Sequence, residues 1–176
     1  MKRFTFTIIL TMLFVCCFAQ KVTIDGIVYG IHDDFAAVHG TKGDIEEAII
    51  LSSVNYKGKD YPVTHVGYGT ETSFSGAKMP FDGCKTLKKV SIPNSVTEIG
   101  VAAFRDCLNL REIILPDNPI KVYTKTNNQG KLTQMSAFRK CFAILTVKCQ
   151  NGSFPSYILG SIPDTCPFIL SLKYQR

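Results

Sequence analysis

The sequence predicts a mostly β solenoid of about three stacked coils, with short helical or irregular turns and an N-terminal β cap. Three observations predict it. One block is written twice within residues 81–116: Phe81-Asp-Gly-Cys84-Lys-Thr-Leu87-Lys-Lys-Val90-Ser-Ile92-Pro93, then Phe104-Arg-Asp-Cys107-Leu-Asn-Leu110-Arg-Glu-Ile113-Ile-Leu115-Pro116. The matched positions lie 23 apart, and every one is apolar, Cys or Pro. Weaker copies flank the pair: Val63-Thr-His-Val66-Gly67 resembles Val96-Thr-Glu-Ile99-Gly100, and Phe138, Cys141, Ile144, Val147 and Cys149 continue the series.

Each slot of the repeat has a physical task. Val90 and Ile92 are two apart, so they share one face of a short strand. Pro93 cannot donate a ladder hydrogen bond and closes that strand, and Asn94-Ser95 supply turn chemistry. Val96 and Ile99 turn inward again, Gly100 permits a tight bend, and Ala103, Phe104 and Cys107 fill the far wall. One coil cannot cover its own apolar side, whereas a second coil stacked on it can. A period in the twenties with Leu-x-x-Val-x-Ile spacing is a leucine-rich-repeat signature.

The pattern Phe-x-x-Cys-x-x-Leu-x-x-Val-x-Ile-Pro-x-Ser-Val-x-x-Ile-Gly resembles the BspA-like leucine-rich repeats of bacterial surface proteins. That resemblance implies a curved stack of parallel strands, no cofactor, and extracellular adhesion or binding.

Taken in order, the chain opens with Lys2-Arg3, an apolar run from Phe4 to Phe18, and Ala19-Gln20. This is the layout of a secretory signal peptide over residues 1–19, cut after Ala19. A lipid anchor on Cys16 or Cys17 is the rival reading, weakened because Val15 or Cys16 would precede the modified residue instead of a small one. Without residues 1–19 the net charge is 18 − 14 = +4. That is too mild, and too scattered, to point to nucleic acid. No second apolar run is long enough to span a bilayer.

Residues 20–60 read as the β cap. Val22-Thr-Ile24 and Ile27-Val-Tyr29 flank Asp25-Gly26, a two-residue hairpin signal. Further strands are expected at Phe35–Val38 and Ile49–Leu51, and a second hairpin around Lys57-Gly58. Residues 61–150 carry the repeats, interrupted by insertions near 68–77 and 117–135. Residues 151–176 read as a closing cap, with Gln150 standing where Pro93 and Pro116 stood. Asn151-Gly-Ser153 is formally a glycosylation sequon.

Five cysteines follow residue 19: Cys84, Cys107, Cys141, Cys149 and Cys166. Cys84, Cys107 and Cys141 hold one slot in successive coils and read as small buried core residues. A Cys149–Cys166 bridge stays open in an oxidising compartment. No cysteine or histidine spacing suggests a metal, and no catalytic constellation stands out. His32-Asp33-Asp34 reads as a polar turn. The alternative is a secreted metal-dependent or hydrolase-like enzyme using His32, Asp33 and His39. The favoured function is a non-catalytic binding module for an extracellular protein or acidic glycan.

Its binding surface follows from the strand alternation. The positions between the apolar ones form three outward rows: Lys88, Arg111 and Leu145; Lys89, Glu112 and Thr146; Ser91, Ile114 and Lys148. Four of the nine are basic and one is acidic, so the face is expected to be more positive than the rest of the chain. Lys88, Lys89, Arg111, Ile114, Leu145 and Lys148 are the candidate binding residues.

Overall fold

The computed structural model describes residues 20–67, 79–124, 128–129, 133, 136–163 and 165–167. The expected signal peptide, the 68–77 insertion and the Phe168–Leu172 part of the expected closing cap lie outside them.

The first strands form two hairpins whose turns are set by residues that tolerate positive φ. β1 (Gln20–Ile24) pairs antiparallel with β2 (Ile27–Ile31) across Asp25 (φ 49) and Gly26 (φ 77). Both central residues being left-handed is the requirement of a type I′ turn. β3 (Ala36–Thr41) extends this meander, and β4 (Glu47–Ile49) follows it. β5 (Ser53–Tyr56) and β6 (Lys59–Val66) form the second hairpin across Lys57 (φ 52) and Gly58 (φ 83).

The repeats then wind between two parallel ladders. β7 (Lys89–Ser91), β9 (Glu112–Leu115) and β11 (Thr146–Cys149) stack in one sheet with β4, in the order β11-β9-β7-β4. We call it sheet B. β8 (Glu98–Ile99) and β10 (Lys121–Val122) join β6 in sheet A, in the order β1-β2-β3-β6-β8-β10. The boundary expected near residue 60 therefore does not divide sheet from cap. β4 lies inside the 20–60 segment, yet it pairs in parallel with β7, Ala48 opposite Val90. Within the expected 117–135 insertion, β10 keeps the 23-residue register, Lys121 opposite Glu98, so the extra residues fall after Tyr123.

The third wall contains no strand among the described residues. The amides of Phe81, Gly83, Phe104 and Asp106 donate to the Ala103, Arg105, Ala137 and Arg139 carbonyls of the next coil, and side chains pack behind this backbone. Phe81, Phe104 and Phe138 are buried and stack with ring centroids 4.9 and 5.1 Å apart and planes 3° from parallel. Beside them, the Cys107 thiol donates to the Phe81 carbonyl at 3.0 Å and the Cys141 thiol to the Phe104 carbonyl at 2.9 Å. A small apolar residue with one weak donor is what this slot needs, because it fills the wall and satisfies a buried carbonyl. The hydrogen bond with Cys141, together with burial, pushes the Cys107 thiol far up, so it stays protonated. Cys149 is also a free thiol, and the Cys149–Cys166 bridge is not formed.

The residue before each cysteine turns left-handed: Gly83 (φ 70), Asp106 (φ 58) and Lys140 (φ 61). The wall needs this bend in every coil, although only the first coil supplies glycine for it. At the opposite corner, Asn94 donates to Asp117 Oδ2 at 2.9 Å and accepts from the Asp117 amide at 2.9 Å. Asp117 Oδ1 accepts from the Asn151 amide at 2.8 Å. Positions 94, 117 and 151 therefore form a side-chain ladder that ties the turns of consecutive coils together. Asn151 itself caps a local turn, accepting from the Ser153 amide at 2.8 Å. Beyond it lies a 3-10 helix, Ser156–Ser161, which buries Ile158 and directs the Tyr157 hydroxyl onto the Pro116 carbonyl at 3.1 Å. Burial pushes that phenol up to about 12.

Candidate binding face

Backbone hydrogen bonds fix the outward rows of sheet B. The Lys88 amide donates to Glu46 O, the Arg111 amide to Lys88 O, and the Leu145 amide to Arg111 O, at 2.7, 2.8 and 2.9 Å. The second row reads Glu47, Lys89, Glu112 and Thr146, and the third reads Ile49, Ser91, Ile114 and Lys148. The alternating apolar residues Ala48, Val90, Ile113 and Val147 point inward and are buried. All six candidate residues thus share one sheet. Lys88, Arg111 and Leu145 are exposed, while Lys89, Ile114 and Lys148 are half-buried.

The first rung changes the electrostatics. Glu46 pairs with Lys88 at 2.8 Å, Glu47 with Lys89 at 2.8 Å, and Glu112 with Lys148 at 3.2 Å. The hydrogen bond to Glu47 raises the Lys89 ammonium above its ordinary value. With β4 included, the face carries Lys88, Lys89, Arg111 and Lys148 against Glu46, Glu47 and Glu112, or 4 − 3 = +1 over twelve positions. The expected positive excess gives way to a nearly balanced lattice of opposite charges. Arg111 forms no ion pair among the described residues.

This rung was within reach of the sequence. Ile45-x-x-Ala48-x-Ile50 repeats Leu87-x-x-Val90-x-Ile92 at an offset of 42, but Ala48 in the Val slot and the β5–β6 hairpin behind it conceal the register. Two apolar neighbours were missed as well. Leu108 and Phe142, each following its wall cysteine, are 45% and 49% exposed, and Ile49 and Leu145 on the face are 60% and 53%. The signal was the slot after Cys, which holds Lys85, Leu108 and Phe142 in turn.

At the C-terminal ends of these strands an open groove of about 410 Å³ is lined by Ile50, Leu51, Ser52, Ser91, Pro93, Asn94 and Gln150. Gln150 exists as a reaching side chain because this coil lacks the proline. Its amide donates to the Ile92 carbonyl at 2.7 Å and to Ser91 Oγ at 3.4 Å.

The residues of the enzymatic alternative lie elsewhere, beside sheet A. His32 and His39 meet there, whereas Asp33 is exposed and its backbone carbonyl accepts from Lys59 Nζ at 3.0 Å. No group of three or more His, Cys, Asp or Glu among the described residues could hold a metal ion.

Comparison with known proteins agrees with this geometry. Residues 77–155 match the BspA type leucine-rich repeat region, in six copies. No curated protein matches the chain. A leucine-rich repeat protein from Bacteroides ovatus is 24% identical, with a TM-score of 0.52, over 72% of this chain and 29% of its own length. The chain thus spans under a third of that relative. A leucine-rich repeat protein from Bacteroides capillosus (22% identity, TM-score 0.48) is covered over 98% of its length and covers 74% of this chain. A leucine-rich cell surface protein from Faecalibacterium prausnitzii (22%, 0.48) covers 84% of this chain and is covered over 44%. Among the described residues no helix is long and apolar enough to cross a membrane. Repeat, ladders and profile converge: residues 77–155 form a BspA type leucine-rich repeat region.

Proposed function

We propose that this protein is an exported, non-catalytic binding module whose outward sheet-B face recognises another protein outside the cell. The observation that carries the reading is the contrast along that face. Its side chains change at every rung, and exposed Ile49 and Leu145 stand among paired charges. Exposed apolar residues within a polar surface are a common basis of protein recognition. An acidic glycan would call for a cluster of unneutralised cations, and three of the four basic residues already face a carboxylate. Export rests on the basic and apolar N-terminal segment, and a separate lipid anchor would alter only how the module is held. The cap role expected of residues 20–60 is assigned here to residues 20–44, ahead of the first rung, because the first coil of a stack needs its apolar end covered.

The test is capture from a panel of immobilised extracellular-matrix proteins and acidic glycans. The native protein should retain a protein partner, and Ile49→Asp with Leu145→Asp should lose it while melting at nearly the parent temperature. A partner held equally by that double variant would place the site elsewhere, with the groove at Gln150 the next surface to mutate.

A further inference from the structure

The three histidines of this chain lie 7 and 26 residues apart in sequence, yet the fold gathers them beside one sheet. In the β2–β3 ladder Val28 pairs with Gly40 but Tyr29 pairs with Val38, so His39 is the extra residue of a β-bulge. Bulges re-aim a side chain. Here the imidazole is laid over Gly30, where an added Cβ would come within 2.0 Å of His39 Cε1. Glycine is therefore what admits the ring. His32 follows β2 directly, and its ring is held against Phe35, stacked at 4.6 Å and 12°. The other side of the cluster is His65, in contact with Phe35 at 4.9 Å. Its Nδ1 is engaged by Thr64 Oγ1 at 2.8 Å.

The two held rings present the same atom to each other, with His32 Nε2 3.2 Å from His39 Nε2. We propose that His32 and His39 form a two-imidazole binding site for a borderline divalent transition cation of the zinc class. Metal–imidazole bonds of about 2.0–2.1 Å to two nitrogens at this separation subtend roughly 100°, close to the tetrahedral angle zinc adopts. Both rings are already oriented by packing, so little reorganisation accompanies binding. Burial, with the neighbouring charge of His65, lowers the His32 pKa against the opposing pull of Asp33, which favours the neutral form a metal requires. The protein supplies two donors, and no third His, Cys, Asp or Glu joins them among the described residues. Water or a group from a partner completes the shell. The site is therefore an open one, unlike the closed four-ligand sites that hold a fold together. His65 stands across Phe35 and is outside the site.

The competing occupant of the gap is a single shared proton, and one experiment separates the two. The 15N-labelled protein is titrated with Zn2+ near pH 7 while the imidazole nitrogen resonances are followed. The Nε2 resonances of His32 and His39 should move together and saturate at one equivalent, with His65 unmoved. His39→Gln and His32→Gln should each weaken the apparent affinity by about tenfold or more, since loss of even an outer-shell partner costs that much, while His65→Gln leaves it unchanged. Three results would each overturn the site: imidazole resonances that do not respond to Zn2+, a response shared equally by His65, or an affinity indifferent to both glutamine variants.

Discussion

The Phe–Cys wall and the outer face of sheet B are cut from the same coils, yet from rung to rung they behave in opposite ways. The wall repeats its residues. Phe81, Phe104 and Phe138 stack on one another, and the cysteines beside them bond to the carbonyls of the preceding coil. The face varies, running Glu46, Lys88, Arg111, Leu145 in one row and Ile49, Ser91, Ile114, Lys148 in another. Identity is enforced where each side chain packs on its own copy in the next coil, because a change of shape at one rung opens a void at two interfaces. On the face each side chain meets solvent, its neighbours constrain it only through charge, and the coil tolerates differences. Stability resides in the wall and variety in the face.

The largest way to break that contrast is at the centre of the wall. Phe104 is sandwiched on both sides, so Phe104→Ala should lower the unfolding free energy by about 3–5 kcal/mol, read by denaturant titration. A loss under about 1 kcal/mol would mean that the rings do not support one another. Next in size is the left-handed slot. A Cβ at Gly83 would meet no atom within 4 Å, so Gly83→Ala tests backbone conformation alone and should cost about 1 kcal/mol. Lys140→Gly, at the same slot, should be neutral or stabilising.

Acidity sharpens the contrast, because the Cys107 thiol of the wall is pushed up, by its hydrogen bond with Cys141 and by burial, whereas two histidines beside sheet A are pushed down. Burial lowers both His32 and His65 below the ordinary histidine value. The unfolded chain therefore takes up protons first as pH falls. The stability these two rings contribute is complete above about pH 6.5 and declines as pH drops through that value. Melting temperatures at about pH 7.5 and 5.5 should differ less in the His32→Gln, His65→Gln double variant than in the parent. The smallest effects belong to the face. Lys88→Ala and Lys148→Ala each remove one surface ion pair, the first exposed and the second half-buried, and should change stability by less than about 1 kcal/mol.

What could be read from sequence follows the same division. The wall was legible because two copies of Phe-x-x-Cys-x-x-Leu stand side by side without insertion, and a buried slot that must match its neighbour leaves a periodic trace. The hairpins at Asp25-Gly26 and Lys57-Gly58 were legible because few dipeptides suit two left-handed residues. The first rung of sheet B was not, since Ala48 replaces the branched residue and a hairpin separates the rung from its register. The balance of the face was misjudged for that reason alone: Glu46 and Glu47 arrive from a segment assigned to the cap. The meeting of His32 with His39 was hidden more deeply, because it depends on a bulge, and a one-residue slip in a ladder leaves no periodic signature. The 3-10 helix at Ser156–Ser161 likewise has no repeat behind it, so the closing-cap reading of residues 151–176 specifies no helix there.

The wall is tested most directly by labelling thiols on the folded protein, with each site resolved by mass spectrometry. Cys84 is half-buried, whereas Cys107 and Cys141 lie fully within the wall. Cys84 should react within the mixing period of the assay, and Cys107 and Cys141 only as fast as the protein unfolds, all three becoming equally reactive in denaturant. Rapid native labelling of Cys107 or Cys141, or their recovery as disulfides, would contradict a wall built from stacked phenylalanines and hydrogen-bonded free thiols.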